Sequence, residues 1–210
     1  MNTRQLLRAE RAELIALLRT LTEDEWMTPS LCAGWRVRDV VGHLLYDTIP
    51  APTYAAILLR NGLSADRVND LLADKSKSLS TAQLLERLNA PGEHISRLLP
   101  RVALSDMVVH HQDIRRPLGR DRKIAPERLR AVLDHPDPFA RPGRYIGGLR
   151  LTATDLNWSR GTGPEVHGPG EALILAMVGR PAALAELDGP GVSILRDRCM
   201  ANSAGSRKAR

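Results

Sequence analysis

Apolar residues recur at helical spacing through the first two thirds of the chain and lose that rhythm afterwards. Leu6, Leu7, Leu14, Leu17, Leu18 and Leu21 stand between arginines and glutamates and predict a helix over 3–21. Thr22-Glu23-Asp24-Glu25 has the spacing of a capping box and opens a short turn carrying Trp26. Pro29 to Trp35 reads as a loop bent at Gly34. Val37, Val40, Val41, Leu44 and Leu45 form the stripe of a second helix, with His43 inside the apolar pattern and Pro50 and Pro52 closing it. Further helical segments are expected over 53–60, ending at Asn61-Gly62, and over 64–73. A polar connector follows at 75–78. Ser80-Thr81-Ala82-Gln83 is another capping box, ahead of Leu84, Leu85 and Leu88. Pro91-Gly92 interrupts that helix, Ile95, Leu98 and Leu99 resume its stripe, and Pro100 precedes the helix that carries Asp106 and His110.

The texture changes beyond Gly119. One more helix is expected from Pro126 to Leu133, and His135 to Gly143 reads as a Pro- and Asp-rich loop. Residues 149–156 alternate with a period of two and predict a strand, to which Glu165-Val166-His167 would pair across a turn at 161–164. Short helices are expected over 170–178 and 181–187, split by Gly179 and Pro181, followed by a frayed tail after Arg198. No internal repeat is visible. The pattern predicts a mainly α protein: a helical bundle over 1–135, a small α/β region over 136–200 and a disordered tail over 201–210.

Composition narrows the function classes. The 210 residues are 43% hydrophobic and 3% aromatic, which fits a globular core built on Leu, Val, Ala and Ile. The formal charge of +6 comes mostly from scattered arginines; Lys75, Lys77, Lys123 and Lys208 are the only lysines. Without a contiguous basic stripe or interleaved aromatics, nucleic-acid binding is not expected. Cys32 and Cys199 stand alone, so neither a disulfide framework nor a Cys-based zinc site is indicated. No run approaches the roughly 18 apolar residues that a spanning helix needs, and the N-terminus carries no apolar signal segment. The expected compartment is the cytoplasm.

The chemistry concentrates in one stretch, Asp106 to Gly119. Asp106 and His110 lie four residues apart, on one face of a helix, and a carboxylate beside an imidazole makes half of a metal site. His43, on the second helix, is the candidate for the other half. Such donors suit Zn²⁺ and also Fe²⁺, Ni²⁺ or Mn²⁺, and three protein ligands leave coordination positions open for catalysis. The same spacing serves a surface Asp–His ion pair, and a histidine on an apolar stripe serves equally as a satisfied core residue. Spacing alone leaves both readings open. His111 points about 100° away from His110 and cannot share its ion. Asp113, one turn past His110, is placed to orient that imidazole, or to pair with Arg115 or Arg116. Those two arginines are candidates for holding an anionic substrate, or a solvated helix end. Cys32 is a candidate nucleophile with no basic neighbour in sequence. Trp26, Trp35 and Trp158 read as core or loop anchors.

Two blocks together carry a family resemblance: W-M-T-P-S-L-C-A-G-W-R-V-R-D-V-V-G-H-L, from Trp26 to Leu44, and Asp106 to Gly119. They resemble the actinobacterial maleylpyruvate isomerase family of mycothiol-dependent enzymes, within the DinB-like superfamily. The likeness extends more loosely over Gly148–Arg198, at Gly179-Arg180 and Leu187-Asp188-Gly189. It implies a four-helix bundle with a divalent metal, zinc first among the candidates, held by His43, Asp106 and His110. The acid departs from the pattern: glutamate in the isomerase that names the family, the shorter Asp106 here. The resemblance also implies mycothiol as a low-molecular-weight thiol cosubstrate. A metal-bound thiolate would add to a small electrophilic substrate, giving isomerisation or S-transfer. Arg180 would be among the C-terminal arginines facing that substrate. The implied partners are small molecules, a thiol and an electrophilic or anionic substrate. Neither nucleic acid nor membrane is expected, and a homodimer is left open. The competing expectation is a non-catalytic DinB-like metal-binding or stress-related binding protein.

Overall fold

The computed structural model describes residues 1–90 and 95–208, without the side chains of 65, 66 and 202–208. The chain forms two compact units, Met1–Asp121 and Arg122–Arg210, so the helix expected over 126–133 belongs to the second.

The first unit contains α1 (Thr3–Leu18), α2 (Glu23–Trp26), α3 (Val37–Leu44), α4 (Ala51–Arg60), α5 (Ala65–Ser76), α6 (Thr81–Asn89), α7 (Ile95–Leu98) and α8 (Pro100–Arg115). Helix α1 packs on α8, α8 on α3, α3 on α6 and α6 on α1, closing a ring of four. This is the expected four-helix bundle, and α5 lies along α3. Leu14 and Leu18 of α1, Val40 and Leu44 of α3, Leu84 and Leu88 of α6, and Leu104 and Val108 of α8 are all buried in its core.

Local chemistry sets the helix starts. The capping boxes at Thr22/Glu25 and Ser80/Gln83 form as their spacing predicts, each with a reciprocal pair of side-chain to backbone bonds. Ser64 caps α5 by accepting from the Arg67 N–H. Pro100 is the first residue of α8, where its missing N–H costs nothing. Helix α1 ends at Leu18, short of the expected Leu21, where the Thr20 and Leu21 N–H groups tighten onto the i−3 carbonyls of Leu17 and Leu18. Beyond α3 the chain tightens into a 3₁₀ turn, Leu45–Thr48, ahead of Pro50. The buried Asp47 carboxylate in that turn accepts from Arg11 of α1 and from the backbone and hydroxyl of Ser96 in α7, joining three segments. The break expected at Pro91-Gly92 lies outside the described residues.

The second unit contains α9 (Pro126–Asp134), α10 (Gly143–Ile146), β1 (Arg150–Ala153), β2 (Ser159–Arg160), β3 (Glu165–Gly168), α11 (Gly170–Met177) and α12 (Val192–Lys208). Beyond Glu171, helix α11 is apolar on every side and accordingly buried from Ala172 to Met177. The segment 181–186 is a 3₁₀ helix. Helix α12 continues to Lys208, across the stretch where the sequence pattern suggests a frayed tail; 209–210 lie outside the described residues.

The sheet departs from the simple hairpin. Its order is β2-β1-β3, with β2 antiparallel to β1 and β3 parallel to it, Leu151 facing Val166 in register. The 161–164 segment is a crossover and not a tight turn. Gly161 and Gly163 have φ of 85° and 117°, and a Cβ on either would collide with the carbonyl oxygen of Leu149 or Gly148. Only glycine lets the chain pass so close over the start of β1 to its far edge.

Helices α3 and α5 meet at Gly42, where a Cβ would overlap the buried Ser76 side chain. Gly42→Ala is expected to lower the unfolding free energy in urea by about 1–3 kcal/mol. Combining it with Ser76→Gly is expected to cost less than the sum of the two changes. Wild-type stability for the single variant would show that the two helices are not held this closely.

Candidate metal centre

Helix α3 is fixed before its histidine is reached. The Val37 N–H donates to the Thr28 carbonyl, and the Arg36 N–H to the Asp39 carboxylate, so Asp39 serves the helix start. The valine stripe seats α3 in the bundle and carries His43, 5% exposed, into the interior. On α8, Asp106, His110 and Asp113 share one face at i, i+4 and i+7.

These faces bring His43, Asp106 and His110 together, with one donor atom from each lying within 4.8 Å of the others. Asp106 Oδ1 stands 3.6 Å from His43 Nε2 and 3.3 Å from His110 Nε2. Donors bonded to one tetrahedral ion at about 2.0–2.1 Å lie roughly 3.3–3.4 Å apart, so both separations suit a single cation. The two imidazoles meet edge to face, with centroids 4.7 Å apart. Among the described residues, Asp106 Oδ2 and His43 Nδ1 are buried and find no hydrogen-bond partner. An orphaned carboxylate oxygen out of water is costly unless something satisfies it, and a divalent cation does so. The residues present therefore fit a metal.

Electrostatics favours the ligand form of Asp106 and His43 and the protonated form of His110, whose proton a bound cation would displace. Burial alone would raise the Asp106 carboxyl, but His110 and His43 outweigh it and hold the group well below the usual carboxylate range. Burial lowers His43 against the opposing pull of Asp106, which favours its neutral ring. Burial opposes protonation of His110 too, yet Asp106, Cys32 and Asp113 together raise it well above an ordinary imidazole.

The other candidates have partners of their own. Asp113, fully buried, meets His110 Nδ1 at 2.9 Å, so it orients the imidazole. His111 points to α1. Its Nδ1 lies 2.7 Å from Glu10 Oε1, and its Nε2 accepts from Arg115 Nε at 2.8 Å. An Nε2 that accepts leaves the proton on Nδ1, so the ring is neutral and donates to Glu10. Arg115 also donates to the Arg120 and Asp121 carbonyls and so clasps the helix end. Arg116 follows as the half-buried C-cap of α8. Arg180 lies in the second unit, where its Nη1 donates to the Val178 carbonyl.

Sequence reasoning missed three neighbours. Trp35 and Tyr46 pack their rings against His43 at 5.5 and 5.4 Å, and Tyr54 packs on Tyr46 at 6.5 Å. Burial raises the Tyr54 hydroxyl, and the charge of Asp106 adds to that shift. Trp35 and Tyr46 flank His43 in sequence, so an aromatic wall was partly legible there. Tyr54 offered no such signal. Cys32 does have a basic neighbour, supplied by tertiary contact: its Sγ lies 3.6 Å from His110 Nδ1 and 3.0 Å from Asp113 Oδ2.

Comparison with known proteins finds a family model that matches under half of the chain and a solved structure of similar fold. Residues 7–98 match the family described as the mycothiol maleylpyruvate isomerase N-terminal domain. That span contains His43 and ends before Asp106 and His110. The chain is also similar to a crystal structure of a mutant mycothiol-dependent maleylpyruvate isomerase. The two share 13% identity over 90% of this chain and 91% of that one, with a TM-score of 0.57. A second structure of that isomerase aligns over the same shares at 12% identity and a TM-score of 0.49. Comparison with curated protein sequences finds no match.

The adjacent histidines of α8 are expected to separate in experiment. His111→Ala removes the imidazole from a carboxylate that has no access to water and is expected to cost about 3 kcal/mol of stability in urea denaturation. Glu10→Gln, which retains an acceptor for the Nδ1 proton, is expected to cost less. A loss below about 1 kcal/mol for His111→Ala would show that this buried contact does not hold α1 to α8.

Proposed function

We propose, on the premise that through residues 7–98 the chain belongs to the mycothiol maleylpyruvate isomerase N-terminal domain family, that this protein is a metal-dependent enzyme using mycothiol or a similar low-molecular-weight thiol. It acts on a small electrophilic molecule in the cytoplasm, as an isomerase or an S-transferase. The observation that carries the reading is the buried His43, Asp106 and His110 cluster with its orphaned carboxylate oxygen.

His43, Asp106 and His110 are the ligands of a divalent cation, zinc first among the candidates. Such a cation would lower the pKa of a thiol brought to it, supplying a nucleophile at neutral pH. The protein's own groups prepare that chemistry. Asp106 is held towards its carboxylate form, because the His110 and His43 imidazoles lower its carboxyl below the usual range. Asp113 fixes the direction of the His110 ring through Nδ1, leaving Nε2 for the cluster. Trp35 and Tyr46 wall His43 and limit water beside it. A dry wall strengthens every charge interaction inside it.

Elemental analysis of untagged protein is expected to find about one divalent ion per chain, lost in His43→Ala. Removing the ion with a chelator is expected to lower the melting temperature and abolish thiol addition to model electrophiles. Zn²⁺ should restore both, whereas Mg²⁺, which favours octahedral oxygen ligation, should not. An ion bound without thiol chemistry would favour the non-catalytic metal-binding protein. No ion after incubation with Zn²⁺, Fe²⁺, Ni²⁺ or Mn²⁺ would overturn the reading.

A further inference from the structure

Beside the three-donor cluster lies a second one, Cys32, His110 and Asp113, that shares His110 with it. The two differ in how their polar atoms are satisfied. In the first, Asp106 Oδ2 and His43 Nδ1 are buried without partners. In the second, Asp113 Oδ2 is met by both His110 Nδ1 at 2.9 Å and the Cys32 thiol, which donates at 3.0 Å. A second cation there would need both nitrogens of His110 as ligands and would break both contacts. The second cluster is therefore closed upon itself, whereas the first has capacity for an ion.

Cys32 belongs to the loop between α2 and α3, which is anchored on the last turn of α8 twice. The Leu31 N–H donates to the Asp113 carbonyl, and the Cys32 thiol donates to the Asp113 carboxylate. The loop is itself stiffened where Ser30 Oγ accepts from the Cys32 N–H and donates to the Trp35 carbonyl. One residue of α8 is thus gripped through both backbone and side chain by a segment far away in sequence.

We propose that Cys32 is a positioning residue for the metal centre: its S–H holds the Asp113 carboxylate, and Asp113 in turn aims His110 Nε2 at the His43/Asp106 cluster. This rests on the metal reading above and deepens it. Cys32 works as a hydrogen-bond donor, neither as a ligand nor as the attacking nucleophile. Outer partners of this kind set ligand direction, and losing one typically costs 10- to 100-fold in metal affinity. A hydroxyl is also a donor, so serine can replace the thiol where alanine cannot.

The test is competition for Zn²⁺ against a chromophoric chelator, using wild type, Cys32→Ala, Cys32→Ser, Asp113→Asn and His43→Ala. Absorption spectra of the Co²⁺-loaded proteins and thermal melts accompany it. Cys32→Ala is expected to bind Zn²⁺ about 10- to 100-fold more weakly than wild type while melting cooperatively. Asp113→Asn should be weakened likewise, and Cys32→Ser should recover most of the affinity. The Co²⁺ form of wild type should lack an intense near-ultraviolet sulfur-to-metal band. Wild-type affinity in Cys32→Ala would overturn the inference and leave the metal reading standing. A sulfur-to-metal band that disappears in Cys32→Ala would overturn it by making Cys32 a ligand. Cys32→Ser binding as weakly as Cys32→Ala would overturn it by showing that donation is not what matters. Failure of wild type to bind any ion, alike with His43→Ala, would overturn the metal reading and the inference with it.

Discussion

A carboxylate held between two imidazoles, away from water, is the constraint on which the first unit turns. Asp106 is nearly buried, and its two neighbours come from different helices, His110 from its own turn of α8 and His43 from α3. Burial of such a group is unfavourable unless its partners stay in reach. α3 must therefore lie against α8, and the segments around them share the work of keeping it there. α5 contributes through the close contact at Gly42, where only a hydrogen atom separates the backbone from Ser76. The loop before α3 contributes through its two anchors on Asp113.

Consecutive residues on α8 divide these tasks by the geometry of the helix. His110 turns to the cluster, and His111, about 100° round, turns to α1. The second histidine joins Glu10 and Arg115 in a chain that ties the two helices. A polar link of this kind is worth little against apolar packing alone, but it has one satisfying geometry, so it fixes register. The orientation of His110 follows from where His111 must point.

What was legible in the sequence follows from locality. Capping boxes at Thr22 and Ser80, the proline starting α8, and the leucine and valine stripes of α1 and α3 are properties of neighbouring residues, and they form as their patterns predict. The Asp106–His110 pair was visible because i and i+4 share a helix face. Its meeting with His43 was implied by the family resemblance and not by spacing. Cys32 has no basic neighbour in sequence, and its surroundings stayed hidden because the groups that touch it lie 78 and 81 residues away in the chain. The parallel pairing of β1 and β3 was hidden for a related reason. Gly161 and Gly163 look like turn residues, and only the carbonyls of Gly148 and Leu149 beneath them reveal a crossover.

The shorter acid gains a physical meaning in this setting. Aspartate brings its carboxylate one methylene nearer to the helix axis than glutamate does, and it has fewer rotamers to lose on being fixed. It can reach two imidazoles only where the helices already lie close, which the direct packing of α3 on α8 provides. The cost is tolerance. A longer side chain absorbs small shifts of its helix by changing rotamer, whereas Asp106 has little slack, so His43 and His110 must be aimed correctly by their own surroundings. Asp113 meets that need for His110 at 2.9 Å. His43 has no such partner on Nδ1 and depends instead on the flanking rings of Trp35 and Tyr46. The two imidazoles are thus oriented by different means, one by a hydrogen bond and the other by packing.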